Sequence, residues 1–238
     1  ATVRALTLLS IAMCAYASSD GLGKAPEESC ENAAGTHRVH DAVSSTALWI
    51  AASRAVETKR EDSIFHDRFA ETLAGEQGFR MMEEMGQGSA GIVPHRTRFF
   101  DDFVQASCHK EGLRQIVEIA AGMGTRAFRL KLPPGVTYFE IDKPALLEVK
   151  ESLVAPMLTE EEKTNCKRVV VPADLESPPE AYTGRPGQYW EDRLKEHGFD
   201  PHTPTLWLIE GLTYYLSGDG NADCLQRVGR LSSPGSAV

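Results

Sequence analysis

The chain has 238 residues, an apolar fraction of 42% and a formal net charge of −9. This composition is ordinary for a globular protein with a sizeable core, so large-scale disorder is not expected. The negative charge offers no long-range attraction to a nucleic-acid backbone or to an anionic membrane, which argues against both as partners. A small molecule or a protein is the better expectation for a substrate.

The first 17 residues have the pattern of a secretory signal peptide. Arg4 precedes an apolar run over residues 5–16, and Ala15 and Ala17 have the spacing of a signal-peptidase site. The run is short for a bilayer span, so a membrane anchor is the weaker alternative. We expect cleavage after Ala17, a secretory or organellar location and no stable membrane association afterwards. The protein is cytoplasmic if this segment is not a signal.

The next part of the chain predicts a linker and then a helical cap. Residues 18–40 are rich in Ser, Gly, Glu and Asn without periodicity, which is typical of a flexible linker. Apolar residues recur at helical spacing in two stretches between residues 41 and 73, and residues 96–104 predict a further helix. A glycine-rich stretch at 86–91 interrupts this pattern. Residues 41–110 are therefore expected to form a helical cap.

From residue 111 the chain alternates apolar strand patterns with helices or loops. This order is typical of a parallel sheet covered on both faces, and it predicts a Rossmann-like, doubly wound α/β fold of about four strands. The predicted strands cover residues 115–121, 136–141, 168–172 and 205–209, and the predicted helices cover 125–130, 145–153, 189–197 and 222–231.

Four of the five cysteines follow the signal-like segment, at Cys30, Cys108, Cys166 and Cys224. They show neither a CxxC pair nor a zinc-ligand spacing. An exported protein permits disulfides, but a free thiol is at least as good an expectation for each cysteine. No disulfide and no metal site is therefore predicted.

A glycine turn follows the first predicted strand. The apolar pattern of residues 116–121 runs into Gly122, Gly124 and a predicted helix, so a ligand can approach the backbone N–H groups closely. Residues 122–127 also match the dinucleotide fingerprint G-x-G-x-x-A, so a nicotinamide- or flavin-dependent enzyme is a rival interpretation. A tight strand-to-helix connection without a ligand is the structural alternative.

Acidic residues follow the other three predicted strands. Asp142 ends the second strand, where a carboxylate can accept hydrogen bonds from a ribose diol. Asp174 can accept from an adenine amino group while Leu175 packs on the ring, and Glu210 can attract an ammonium group. Each acid alone is compatible with a solvated surface. Together they repel a pyrophosphate and suit a zwitterionic amino acid on a nucleoside, so S-adenosylmethionine is the expected cofactor.

The chain resembles the leucine carboxyl methyltransferase family, especially its branch of S-adenosylmethionine-dependent methyltransferases. The resemblance spans roughly residues 43–216, and it is specific because several ordered motifs occur at fitting intervals. The motifs are RTRFFDD at 96–102, GMGTRA at 122–127, YFEIDKP at 138–144, ADL at 173–175 and EGLTYYL at 210–216.

The resemblance implies a class I methyltransferase domain over residues 41–238 and assigns the amino-acid end of the cofactor. Arg96 would pair with the methionine carboxylate, because a guanidinium fork donates two bonds at once. Arg98 is the alternative arginine. The purely structural interpretation is that both arginines lie on a solvated helix face. The turn at Gly122 would cradle the amino-acid portion, and Glu210 would lie near its ammonium group.

The resemblance also assigns the nucleoside end, with Asp142 on the ribose and Asp174 and Leu175 on the adenine. The chain departs from the family pattern at two positions of the turn. The family usually has glycine where Ala120 stands and aspartate where Gly124 stands. We expect the added methyl group of Ala120 to weaken cofactor binding more than it affects the fold.

The expected activity is methyl transfer to a carboxyl or hydroxyl oxygen of a small molecule or protein. A carboxylate acceptor needs no general base, whereas a hydroxyl does, and no spacing supports His95, Tyr214 or Tyr215 in that role. No catalytic residue is therefore predicted. The alternatives are a non-catalytic S-adenosylmethionine-binding protein and, less favoured, an NAD(P)-dependent oxidoreductase.

The end of the chain carries a further expectation. A class I methyltransferase has three more strands after the fourth, and the family builds much of its acceptor pocket there. The chain is accordingly expected to be C-terminally truncated, with impaired activity and with the apolar edge of the fourth strand unpaired.

Overall fold

The computed structural model describes residues 42–84, 91–175 and 189–238, which belong to one compact unit. The predicted signal peptide, the predicted linker, Cys14, Cys30 and residues 86–90 of the glycine-rich stretch lie outside the described residues. Among the helices that are described, none combines the length and the apolar character needed to cross a membrane.

The described part of the cap contains three helices, α1 (Ala42–Thr58), α2 (Ala70–Glu84) and α3 (Ile92–His109). Helix α2 begins later than the helical spacing over residues 64–73 indicates. Phe65 and Phe69 are buried in the connection before it, where Asp67 Oδ1 accepts the Phe69 N–H at 3.2 Å. The apolar spacing therefore predicts burial correctly and the helix start wrongly, because two buried rings four residues apart also fit a tight connection.

The four predicted strands form one parallel sheet in the order β3-β2-β1-β4, so the predicted α/β fold is confirmed. Helix α6 has no counterpart among the predicted helices; Thr159 and Glu162 begin it with a reciprocal capping box. The strands are β1 (Gln115–Ile119), β2 (Thr137–Asp142), β3 (Lys167–Pro172) and β4 (Thr205–Ile209), and the helices are α4 (Arg126–Arg129), α5 (Pro144–Val154), α6 (Glu160–Thr164), α7 (Trp190–Glu196) and α8 (Gly218–Leu231).

Alternating side chains of the strands face two layers of helices. Val117, Phe139 and Trp207 pack with α7 and α8, whereas Ile116 and Tyr138 pack with α3 and α4. The crossover from β1 to β2 therefore lies on one face of the sheet, and that from β3 to β4 lies on the other. Because β1 and β4 are neighbours, their carboxyl ends form the kind of crevice in which open α/β sheets bind ligands.

The outer edge of β4 is covered along its first part by residues near Ala237. The Trp207 N–H donates to the Ala237 carbonyl at 2.9 Å, and the Ala237 N–H donates to the Thr205 carbonyl at 3.0 Å. The Thr205 N–H donates to Ser236 Oγ at 3.0 Å. The expectation of an unpaired β4 edge is therefore wrong for this part, because a short segment can satisfy outward backbone groups without forming a full strand.

In the described part of the chain, Cys108, Cys166 and Cys224 are free thiols. Burial raises the pKa of Cys166 to about 12 and that of Cys224 to about 11. Both thiols therefore stay protonated at neutral pH, and neither is an activated nucleophile.

Candidate cofactor-binding site

The candidate site lies at the carboxyl edge of the parallel sheet. Because all four strands run in the same direction, the residues that follow them meet at one edge. This edge carries the turn at Gly122 after β1, Asp142 at the end of β2, Asp174 after β3 and Glu210 after β4. The strand order thus brings together the sequence-predicted residues from four separate segments.

The turn and the second strand are joined by the Asp142 carboxylate. The Gly122 N–H donates to Oδ2 at 2.7 Å, and the Lys143 N–H donates to Oδ1 at 2.7 Å. Burial raises the pKa of Asp142, and these two backbone hydrogen bonds partly oppose that rise. Each carboxylate oxygen has two lone pairs, so the half-buried side chain retains the capacity to accept from a ligand hydroxyl.

The backbone of the turn is tightly packed. Gly122 has a φ of +52°, and a Cβ there would lie 3.3 Å from the Cβ of Ala47 in α1. A Cβ on Gly124 would lie 2.8 Å from the Ala121 carbonyl oxygen, which requires a shift of the backbone. Packing against α1 at Gly122 and against the backbone of the turn at Gly124 therefore favours glycine over larger residues at both positions.

Ala120, at which the sequence predicts a departure from the family pattern, has a φ of +58°. This left-handed conformation costs an L-residue with a Cβ on the order of 1–2 kcal/mol. Ala120 therefore differs from a glycine at this position in backbone strain as well as in side-chain size.

The Glu210 carboxylate is held between two arginines. Arg96 Nε lies 2.6 Å from Oε1, and Arg126 Nη2 lies 2.6 Å from Oε2. Burial alone would raise the pKa of Glu210, but the two guanidinium groups hold it at about 2, so this carboxylate is ionised at neutral pH. Arg96 and Glu210, which were predicted to bind opposite charges of one ligand, here bind each other.

Arg126, which was not among the predicted site residues, is the centre of a buried ion-pair network. Its Nε lies 3.0 Å from Asp101 Oδ1, and its Nη1 lies 2.8 Å from Glu118 Oε1. Glu118 also accepts the Tyr138 hydroxyl at 2.8 Å. The sequence signal was its place directly after the glycine turn. Its carboxylate partners come from α3, β1 and the end of β4, and no spacing rule connects those elements.

A second buried network fixes the turn from the cap. Arg54 Nε of α1 lies 2.9 Å from Asp67 Oδ2, and Arg54 Nη2 donates to the Met123 carbonyl at 2.5 Å. The Thr125 hydroxyl donates to the same Asp67 oxygen at 2.7 Å. Burial raises the pKa of Asp67, but Arg54, Arg129 and the Thr125 hydrogen bond together lower it by more, so the net shift of this pKa is downward. Buried hydrogen bonds and an ion pair from the cap side therefore hold the turn in position.

The two candidate arginines of α3 lie in different environments. The Arg96 side chain is 11% exposed and reaches Glu210. The Arg98 side chain is 52% exposed, pairs with Asp102 one helical turn away and donates to the Ile64 carbonyl at 2.9 Å. The structure therefore favours Arg96 over Arg98 as the arginine of the site.

The predicted adenine-binding pair follows β3. The Ala173 N–H donates to the Asp142 carbonyl at 2.9 Å, so strand pairing extends to the residue before Asp174. Asp174 is exposed, and Leu175 is half-buried against the core beneath α7. Both residues thus lie at the same edge as Asp142, on its β3 side.

Two of the candidate general bases, His95 and Tyr215, are exposed. His95 is exposed, with Nδ1 3.2 Å from the Gly91 carbonyl one turn earlier in its helix. Tyr215 is 41% exposed. Over residues 42–84, 91–175 and 189–238, no group of three or more His, Cys, Asp or Glu side chains is arranged to hold a metal ion.

Sequence comparison with known proteins places this chain in a family. The family model for leucine carboxyl methyltransferase matches residues 47–229. A protein of Saccharopolyspora erythraea named "Putative S-adenosyl-L-methionine-dependent methyltransferase" is 37% identical over 201 residues, which cover 81% of this chain and 65% of the relative. A Mycolicibacterium smegmatis protein of the same name is 35% identical over 219 residues, covering 84% and 63%. The chain thus spans slightly less than two thirds of these curated relatives.

A solved structure supports the fold. The crystal structure described as that of "a putative methyltransferase" from Thermobifida fusca YX has a TM-score of 0.53 and 17% sequence identity. The match covers 80% of this chain and 63% of that one. The sheet and its helices therefore have the class I methyltransferase arrangement.

Proposed function

This chain belongs to the leucine carboxyl methyltransferase family, and from that premise we propose that it binds S-adenosylmethionine and methylates a carboxyl or hydroxyl oxygen. The acceptor would be a small molecule or a protein. The proposal rests on the residues of the carboxyl edge, which fit the nucleoside and the amino-acid end of that cofactor.

The observation that carries the proposal is the hydrogen bond from Gly122 to Asp142. It holds a half-buried carboxylate beside a glycine turn at the carboxyl edge of the sheet. A ribose diol can donate two hydrogen bonds to such a carboxylate. Asp174 and Leu175 follow the neighbouring strand and supply an acceptor and an apolar contact for adenine.

The same hydrogen bond argues against a dinucleotide. In a dinucleotide site the turn amides and the following helix bind a pyrophosphate. Here the Gly122 N–H is engaged by a carboxylate, and α4 has four residues, too few for a substantial helix dipole. The Asp142 carboxylate would also repel a pyrophosphate.

The amino-acid end of the cofactor carries both a carboxylate and an ammonium group. Arg96 and Glu210 offer the complementary charges at the crevice between β1 and β4. The bound cofactor supplies an electrophilic methyl group on a sulfonium, which an acceptor oxygen takes by in-line displacement. The contribution of the protein is to orient the cofactor and to exclude water.

A carboxylate acceptor is the simpler expectation. It is ionised at neutral pH and needs no proton removed, whereas a hydroxyl acceptor needs a base. The exposed positions of His95 and Tyr215 support this preference.

A second candidate function is binding without turnover. The observation in its favour is the φ of +58° at Ala120, because a strained turn that holds the cofactor slightly out of line slows transfer more than it weakens binding. Under this alternative the chain binds the cofactor product, S-adenosylhomocysteine, but transfers no methyl group.

Isothermal titration calorimetry of the full chain tests the proposal with S-adenosylhomocysteine and, separately, NAD. We expect S-adenosylhomocysteine to bind, and Asp142→Ala to weaken it by about 10- to 100-fold, as loss of a charged hydrogen-bond partner does. The matched control is Asp200→Ala. Asp200 also accepts a backbone N–H, from His202 at 2.9 Å, but lies before the amino end of β4.

Binding of NAD without S-adenosylhomocysteine would overturn the proposal, as would an Asp142→Ala variant that folds and binds S-adenosylhomocysteine unchanged. Methyl transfer from labelled S-adenosylmethionine to a panel of carboxylic acids and alcohols then separates the two candidate functions. Binding with no transfer to any acceptor favours the second.

A further inference from the structure

The sequence resemblance predicts an aspartate at position 124, where this chain has glycine, and a buried acid from β1 lies beside that position. A Cβ on Gly124 would lie 3.4 Å from Oε1 and 3.5 Å from Oε2 of Glu118. The Glu118 side chain is 4% exposed. The inward side of the turn therefore meets a carboxylate although the turn over residues 120–125 has no acidic residue of its own.

The Glu118 carboxylate binds one partner with each oxygen. Its Oε1 lies 2.8 Å from Arg126 Nη1, and its Oε2 accepts the Tyr138 hydroxyl at 2.8 Å. The Oε1 atom is thus within contact distance both of Arg126 and of the position that a Cβ of residue 124 would take. An acidic side chain at position 124 would therefore compete with Glu118 for the same guanidinium group.

The charges around Arg126 are balanced without a further acid. Three largely buried arginines meet three largely buried carboxylates in this network, which consists of Arg96, Arg126, Arg129, Asp101, Glu118 and Glu210. A carboxylate at position 124 would add a fourth negative charge to three positive ones, and a buried charge in excess of its partners is costly. The same carboxylate would restore the balance if Glu118 were neutral.

We propose that Glu118 is a positioning residue of the turn, and that it supplies from the strand the charge that an aspartate at position 124 would supply from the turn. The Glu118 carboxylate holds Arg126, which begins α4 and also contacts Glu210 after β4. One acid thereby joins β1, the start of α4 and the end of β4. The inference rests on the proposed function, because its functional readout is the affinity for the cofactor product.

Aspartate and asparagine at position 124 test this proposal, because the two side chains have nearly the same size and differ in charge. Each is introduced into the wild type and into Glu118→Gln, so crowding against the Ala121 carbonyl oxygen is the same in each comparison. Calorimetry on the full chain measures S-adenosylhomocysteine affinity at a temperature at which every variant is folded. Thermal unfolding measures the melting temperature.

The order of the two substitutions should reverse between the two backgrounds. In the wild type we expect Gly124→Asp to bind S-adenosylhomocysteine about tenfold more weakly than Gly124→Asn and to melt about 3 °C lower. In Glu118→Gln we expect Gly124→Asp to bind more tightly and to melt higher than Gly124→Asn, since the new carboxylate replaces the missing one beside Arg126.

Gly218 provides the matched control for the charge at position 124. No atom lies within 4 Å of a Cβ at this position, which begins α8. The difference between Gly218→Asp and Gly218→Asn should therefore be the same in the wild type and in Glu118→Gln.

An order of aspartate and asparagine at position 124 that is the same in both backgrounds would overturn the proposal. A reversal in melting temperature without a reversal in affinity would overturn the positioning role, because a purely structural acid changes stability alone. A wild-type chain that does not bind S-adenosylhomocysteine would overturn the proposed function. The order of the melting temperatures would then still decide whether Glu118 supplies the charge expected at position 124.

Glu118→Gln by itself gives a second measurement that needs no substitution in the turn. We expect about a tenfold loss of S-adenosylhomocysteine affinity, because Arg126 loses one of its carboxylates. The matched control is Tyr138→Phe, which removes the hydroxyl from the other oxygen of the same carboxylate and should change the affinity by less than about twofold. Unchanged affinity in Glu118→Gln would overturn the positioning role. Equal losses in both variants would also overturn it, since they would show a general disturbance of the buried cluster.

Discussion

The Gly122 amide nitrogen lies 2.7 Å from Oδ2 of Asp142, which links the first two strands of the sheet directly at their carboxyl ends. A turn amide that a phosphate-binding loop would offer to its ligand is here bound to a carboxylate. This relationship places a carboxylate at the edge, where the proposed ribose contact would be made. Ala120 lies two residues before Gly122, so the conformation of the turn bears on this proposal.

Ala120→Gly should stabilise the protein by about 0.5–1 kcal/mol, because glycine adopts a φ of +58° without the clash that a Cβ causes. Urea unfolding at equilibrium measures the change. The control is Ala121→Gly at the next residue, which is buried and does not have a positive φ. It should lower the free energy of unfolding by about 1 kcal/mol through lost packing and added chain entropy. Equal destabilisation by both substitutions would show that Ala120 is not strained.

Gly124→Asp introduces the residue that the sequence resemblance predicts for this turn position, yet it should destabilise this chain by about 1–3 kcal/mol. The new Cβ would lie 2.8 Å from the Ala121 carbonyl oxygen and 3.4 Å from Glu118 Oε1, so crowding and like charge act together. Thermal unfolding measures the effect. Gly218→Asp is the control, because no atom lies within 4 Å of its new Cβ and it begins α8, where an acid is favourable. A neutral Gly124→Asp would mean that the turn relaxes at no cost.

Lys150→Met should destabilise the protein by about 3 kcal/mol, because it removes a partner from a fully buried carboxylate. Lys150 Nζ lies 2.7 Å from Glu140 Oε2, and both side chains are 0% exposed. Arg168 remains on the same oxygen at 2.7 Å and limits the loss. The matched control is Lys163→Met, whose Glu160 partner is also at 2.7 Å.

That control pair is 48% and 87% exposed, so it should change the free energy of unfolding by less than about 1 kcal/mol. Because the two ion pairs have the same length, urea unfolding of both variants measures the effect of burial on the free energy of unfolding. Similar effects of the two substitutions would contradict the stabilising role of the buried pair.

Stability should fall steeply as the pH drops from about 4.5 to about 2. Arginine and lysine partners hold the pKa values of Glu140 and Glu210 at about 2 against burial, which is below the unfolded value near 4.5. The unfolded state therefore binds more protons in this window, so the stability that these groups contribute above pH 4.5 is lost as pH falls. Burial raises the pKa of Glu118 and Asp142, whose contribution has the opposite sign.

Urea unfolding at a series of pH values measures this slope, and Glu210→Gln should reduce it. A wild-type slope of zero below pH 4 would contradict the ionised state of both glutamates. An unchanged slope in the variant would show that Glu210 does not contribute to the pH dependence of stability.

Much of the sheet edge could be predicted from local pattern. The apolar runs of β1 and β4 are buried and continuous, and the residue that follows a parallel strand must lie at the carboxyl edge. Asp142, Asp174 and Glu210 could therefore be placed at one edge without coordinates. The start of α2 could not, because buried Phe65 and Phe69 suit a connection as well as a helix.

The parallel α/β class, the glycine turn and the acids that follow the strands could all be predicted from local sequence, because strand periodicity and turn chemistry act over a few neighbouring residues. The ion pair between Arg96 and Glu210, 114 residues apart, and the contacts of Arg126 with three carboxylates from separate segments are seen only in the folded chain. The φ of +58° at Ala120 is also a property of the folded chain. Ion pairs between distant segments and a strained backbone angle depend on how the elements pack, and no local spacing contains that information.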